Sequence, residues 1–124
     1  MMEIPLFLSL SILITLLTLF SWSSGSGNSD LFAIGSFVNS ILSYDIIQIR
    51  NNNTWFHYLG GLLTVGFTVA GIGTNIGHEL VHRTKDIISL TIGRWLLSMS
   101  CNADFSIEHV YGHHVTVCTV NDPA

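Results

Sequence analysis

The chain has 124 residues, 48% of them hydrophobic and only 10% charged, with a net charge of −4. A soluble domain carries far more charge over its surface, so this composition excludes an ordinary soluble fold. The negative charge is too small and scattered to suggest nucleic acid as a partner, and two cysteines, Cys101 and Cys118, make no disulfide framework.

In chain order, residues 4–22 form the first apolar run and read as a transmembrane helix. A signal peptide is the alternative, but the run is long and is preceded by Glu3 with no Lys or Arg. Ser23 to Asp30 is a Ser- and Gly-rich turn. Residues 31–49 are apolar but interrupted by Ser36, Asn39, Ser43 and Asp45, as a weak span or an interfacial segment would be. After the polar stretch Arg50 to Thr54, residues 55–77 hold no charged residue and give the clearest span, with Trp55, Phe56 and Tyr58 as an interfacial aromatic belt. Residues 87–99 are amphipathic and too short to cross, so they are expected to skim or re-enter the membrane. Arg83, Lys85 and Arg94 follow the second span, against a single Arg50 before it, which puts that end in the cytoplasm by the positive-inside rule. The expected fold class is all-α: one partial integral-membrane helical bundle over residues 1–124. It has two to three transmembrane helices, an interfacial helix, and a cytosolic-side histidine region over 78–124.

Five of the six histidines fall in two clusters, H-E-L-V-H at 78–82 and E-H-V-Y-G-H-H at 108–114. On an α-helix residues four apart share a face, so His78 and His82 can grip one ion, and His109 and His113 repeat that geometry. His114 lies about 100° further round and can reach a different ion. Five imidazoles exceed the three or four ligands of a zinc site and suit a partial shell for two metals, although imidazole alone leaves the metal open. Rings at the end of a membrane span are costly to bury unless they bind something. His57, 21 residues before His78, reads as an interfacial residue at the other face of the bilayer and not as a ligand. The H-E-x-x-H pattern also fits a membrane zinc peptidase with Glu79 as general base, but the extended form of that motif meets Lys85 and Ile88 where Gly and His are needed.

Gly60, Thr64, Thr68, Gly71, Asn75, His78 and His82 fall within about 80° of one another on an ideal helix. Close helix packing accounts for such a stripe; a slot for a linear alkyl chain is the sharper reading. On that reading a bulky residue at Thr64 or Thr68 shortens the longest chain accepted, and an unchanged chain-length preference in a folded variant removes it.

G-H-E-L-V-H-R at 77–83, I-E-H-V-Y-G-H-H at 107–114 and T-V-N-D-P-A at 119–124 together resemble the membrane-bound alkane monooxygenases, within the wider membrane fatty-acid desaturase and hydroxylase group. The likeness is good from Asn75 onward and rests most on the second box. It implies a non-haem centre of two iron ions with His78, His82, His109, His113 and His114 among the ligands. It also implies dioxygen activation, oxygen insertion into a C–H bond of a hydrophobic alkyl substrate, and electrons from a rubredoxin-like iron–sulfur protein. The implied location is a bacterial-type inner membrane, in contact with lipid, with the histidine boxes facing the cytoplasm. Desaturases and xylene-type monooxygenases share the boxes and stay open as alternatives. The family's later histidine boxes would fall beyond Ala124, so the sequence is expected to be a fragment, inactive by itself.

Overall fold

The structure is a computed structural model that describes residues 3–122. Among the described residues every regular element is helical, as the composition leads one to expect. Two helices are long and apolar enough to cross a membrane, within Leu6–Ser23 and Trp55–Val81. Only 17% and 11% of their most apolar windows are buried. A core helix of a soluble protein would be mostly covered, so these apolar surfaces belong in lipid and the chain is a membrane protein.

The described residues divide into two compact units, 3–13 with 67–122, and 14–66. In the second of these, the chain leaves α1 (Glu3–Ser23) through a polar turn organised by two charges. The Asp30 carboxylate accepts the Trp22 Nε1–H at 2.8 Å, the backbone N–H groups of Gly35 and Ser36 at 2.7 and 2.9 Å, and the Ser36 hydroxyl at 2.8 Å. These donors, led by the Ser36 backbone, hold its pKa well below the usual carboxylate range. Buried Arg50 donates to the carbonyls of Ser29 and Gly27 at 2.8 Å each and lies 4.8 Å over the Trp22 ring.

These polar anchors break up the stretch 31–49. A 3₁₀ turn at Leu31–Ala33 carries Phe32 and Ala33 at positive φ, and α2 (Ile34–Ile41) is only 8 residues long. A new helix, α3 (Ile46–Asn51), starts at Asp45, whose carboxylate accepts from the N–H groups of Ile47 and Gln48. At 1.5 Å per residue, α2 extends about 12 Å, well short of a bilayer. No helix of this segment is long enough to cross one.

The other unit holds the histidines. Here α4 (Trp55–Thr68) continues into a π-helical stretch, Val69–Ile76, and then into α5 (Gly77–Val81). Because a π turn closes from i to i+5, the phase of the helix slips before His78. Gly60, Thr64, Gly71 and Asn75 of the expected stripe are exposed, while Gly73 and Gly77 on another side of the helix are buried. A tight turn returns the chain as α6 (Ile87–Met99). Its inner face carries Ser89, Gly93, Leu96 and Leu97, all buried, while Ile87, Ile88 and Trp95 are exposed. This is the amphipathic pattern expected of the segment.

The helices α5 and α6 meet backbone to backbone. A Cβ on Gly93 would lie 2.9 Å from the Gly77 carbonyl oxygen, Leu80 Cβ and Val81 Cγ1. Around this contact Leu80, Val81, Leu96 and Leu97 are fully buried. The start of α6 is capped by Asp86, which accepts from the Ser89 hydroxyl at 2.5 Å and the Ile88 N–H at 3.1 Å. The Ser89 hydroxyl is the main cause of its lowered pKa, followed by backbone donors. A depressed folded pKa means stability that is present above the unfolded value, 3.8, and lost as pH falls through the folded one. Acidification below that range is therefore expected to fray α6 in circular dichroism, and Asp86→Ala to show that loss already at neutral pH.

At its far end α6 closes with Cys101 in the left-handed region, φ 58°, and the Asn102 N–H on the Leu97 carbonyl at 2.9 Å. This is a Schellman-type stop with cysteine in the place glycine usually takes. It redirects the chain into the one-turn helix Phe105–Ile107 and the second histidine box.

Candidate metal centre

His78 and His82 project from α5 and its C-terminal edge, four residues and one turn apart, as the spacing predicts. Their Nε2 atoms are 2.8 Å apart. The second box folds differently from the α-helix expected. Glu108–His113 is a π-helix, followed by a single α turn at His114–Thr116. On an α-helix at about 100° per residue, His109 and His114 would point roughly 140° apart. In a π turn, closed from i to i+5, they come nearly into line. The His114 Nε2 accordingly lies 3.1 Å from the His109 Nε2.

The two boxes meet at His109. Its Nε2 is 2.8 Å from the His78 Nε2, so the nitrogens of His78, His82, His109 and His114 form a connected cluster. Ligand atoms of His78, His82 and His109 all lie within 4.8 Å of one another. His113 sits beside the cluster, its ring stacked on His109 at 5.5 Å between centroids, but its Nδ1 is 2.8 Å from the Asp122 carboxylate. His57 stands elsewhere, at the start of α4, where its Nδ1 accepts from the Thr54 N–H at 3.0 Å.

The donor set fits a metal. A neutral imidazole offers at Nε2 either one proton or one lone pair, and the His78 Nε2 faces two equally close nitrogens. Hydrogen bonds alone satisfy such a group poorly; a cation at its centre satisfies every lone pair. Metal–nitrogen bonds of ~2.0–2.1 Å, at octahedral to tetrahedral angles, set donor nitrogens roughly 2.8–3.4 Å apart. The observed separations of 2.8, 2.8 and 3.1 Å match this spacing. Burial first, and then the neighbouring imidazoles, lower the pKa of His82 and of His109 from 6.5. Both rings are thereby kept in the neutral, ligating form at pH 7.

Two neighbours of the cluster carry no metal-binding signal in the sequence. Phe105 stacks on His109 at 4.4 Å and 15°, and meets His78 edge-on at 5.2 Å. Its four-residue spacing from His109 is the one hint of this. Asp122, in the D-P-A stretch whose Pro123 and Ala124 lie outside the described residues, is the second. Glu79, the general base of a zinc-peptidase reading, is instead exposed and paired with Arg83 at 3.2 Å.

Comparison with known proteins finds similarity to alkane 1-monooxygenases. The chain is 41% identical over 68 residues to alkane 1-monooxygenase 2 of Pseudomonas aeruginosa and 38% identical over 68 residues to alkane 1-monooxygenase 1 of the same organism. It is 43% identical over 65 residues to alkane 1-monooxygenase 2 of Alcanivorax borkumensis. Each match takes in 52–55% of this chain and only 16–18% of the relative, so the chain spans a small part of the length of these proteins. No family model and no solved structure matches it.

Proposed function

We propose that this alkane 1-monooxygenase-like chain contributes part of a non-haem di-iron centre that hydroxylates an alkane or alkyl chain with dioxygen. The observation that carries the reading is the meeting of the two histidine boxes through Nε2 atoms at metal-ligand spacing. His78, His82, His109 and His114 would hold metal, with His113 completing the set, and two irons when bound would supply the activation of dioxygen.

The chain's own residues set the conditions for that chemistry. Phe105 covers the rings of His78 and His109 and limits their rotation. The neutral state of His82 and His109 leaves their lone pairs free. The apolar spans bring the cluster to the membrane, where an alkyl substrate is dissolved. Arg83, Lys85 and Arg94 orient it toward the cytoplasm, the side from which a small iron–sulfur protein would deliver electrons.

Within the unit formed by residues 14–66, Leu16, Leu19, Phe20, Ser23, Gly61, Thr64 and Val65 line an open apolar groove of about 290 Å³. It suits an alkyl chain, and it contains Thr64, one of the two positions at which a bulky residue is expected to shorten the accepted substrate.

Metal analysis of the purified chain tests the assignment. Bound iron is expected, up to two ions per chain. A single zinc would favour a hydrolase, and no bound metal would remove the reading. Product analysis separates the related chemistries: an alcohol marks a hydroxylase and an alkene a desaturase.

A further inference from the structure

We propose that Asp122 is the positioning residue for His113, fixing its tautomer so that Nε2 is presented bare to metal. The proposal rests on reading the histidine cluster as a metal site and adds to it a residue outside the histidine boxes.

The geometry is specific. The His113 Nδ1 lies 2.8 Å from the Asp122 Oδ1, with side-chain exposures of 28% and 13%. A carboxylate can only accept, so Nδ1 must carry the proton. A neutral ring has one proton, which leaves Nε2 as the lone-pair nitrogen. It is also through Nε2 that His78, His82, His109 and His114 meet. Flipping the His113 ring would break a hydrogen bond largely shielded from water, where such a bond is strong.

The chain is bent in order to deliver this carboxylate. After His114–Thr116 it reverses at Cys118, a non-glycine residue held at φ 64°. That left-handed conformation costs energy for a residue with a Cβ, and it persists where its surroundings hold it. Here the Thr119 N–H and hydroxyl both donate to the Thr116 carbonyl, at 2.9 and 2.6 Å. The Asn121 N–H reaches the Thr119 hydroxyl at 3.3 Å, and the Asp122 N–H reaches the Thr119 carbonyl at 3.2 Å. The Thr116 hydroxyl ties the turn back to the Gly112 carbonyl at 2.9 Å, inside the histidine box. Carboxylate–histidine–metal arrangements of this kind set ring orientation and raise ligand basicity.

The test uses the ¹⁵N-labelled chain in detergent micelles, first free of metal and then titrated with cobalt(II). Long-range ¹H–¹⁵N correlations are expected to show His113 as the Nδ1–H tautomer, and to show that preference lost in Asp122→Ala. Cobalt affinity, read from its visible absorption, is expected to fall about 10–100-fold in the same variant. Asp122→Asn keeps an accepting oxygen and the side-chain shape; it should keep the tautomer and lose less affinity, which separates positioning from folding. An Nε2–H tautomer in the unsubstituted chain, or a tautomer and affinity unchanged by Asp122→Ala, overturns the proposal. If cobalt binding is untouched in Asp122→Ala yet lost in His109→Ala, only the positioning role falls. If the unsubstituted chain takes up no cobalt, the metal reading falls, and this proposal with it.

Discussion

Replacing His109 by alanine is expected to abolish metal binding by this chain. The boxes are joined through His78 and His109, and the His109 Nε2 lies 2.8 Å from that of His78 and 3.1 Å from that of His114. Without it, the nitrogens of α5 and of the second box lose the atom that joins them, and Phe105 loses the ring on which it stacks. Changing a residue that only supports a ligand costs roughly 10–100-fold in affinity, so removing the ligand at the hub should exceed about 100-fold. Iron(II) or cobalt(II) titration of the purified chain measures this. His57→Ala serves as the control, because that ring caps α4 through Thr54 and is expected to leave binding unchanged. Native affinity in His109→Ala would show that the two boxes do not share a site.

The second large effect is expected at Gly93, which supplies no ligand atom. A Cβ there would come within 2.9 Å of a backbone oxygen, that of Gly77, as well as of Leu80 and Val81. Side chains can rotate away, but the carbonyl cannot move without shifting α5, which carries His78. Gly93→Leu is therefore expected to destabilise the α5–α6 pair by at least about 1–3 kcal/mol and to reduce metal affinity with it. Gly93→Ala should do the same to a smaller degree. Thermal unfolding in micelles reads the first effect and metal titration the second. An unchanged melting temperature in Gly93→Leu would mean that the two helices do not pack through their backbones.

Much of this architecture is legible in residue type and spacing. Two long uncharged runs define the two spans, because a helix in lipid satisfies its own backbone and needs only apolar side chains. The H-x-x-x-H at 78–82 reads correctly as a one-turn pair, because α5 is a regular helix there. The segment 31–49 left two readings open. Composition measures its hydrophobicity, but not that Asp30 and Asp45 would bind backbone N–H groups and split it into short helices.

By itself, then, the sequence determined an all-helical membrane chain and which imidazoles are available to gather at one end of it. The order of residues sets polarity and periodicity, and those follow from local chemistry. Tertiary structure alone decided which nitrogens meet. The π turns at Val69–Ile76 and Glu108–His113 change the angular step per residue, bringing His114 into line with His109 and leaving His113 to Asp122. No spacing rule built on 3.6 residues per turn contains that result, because a π turn persists only where surrounding packing holds it.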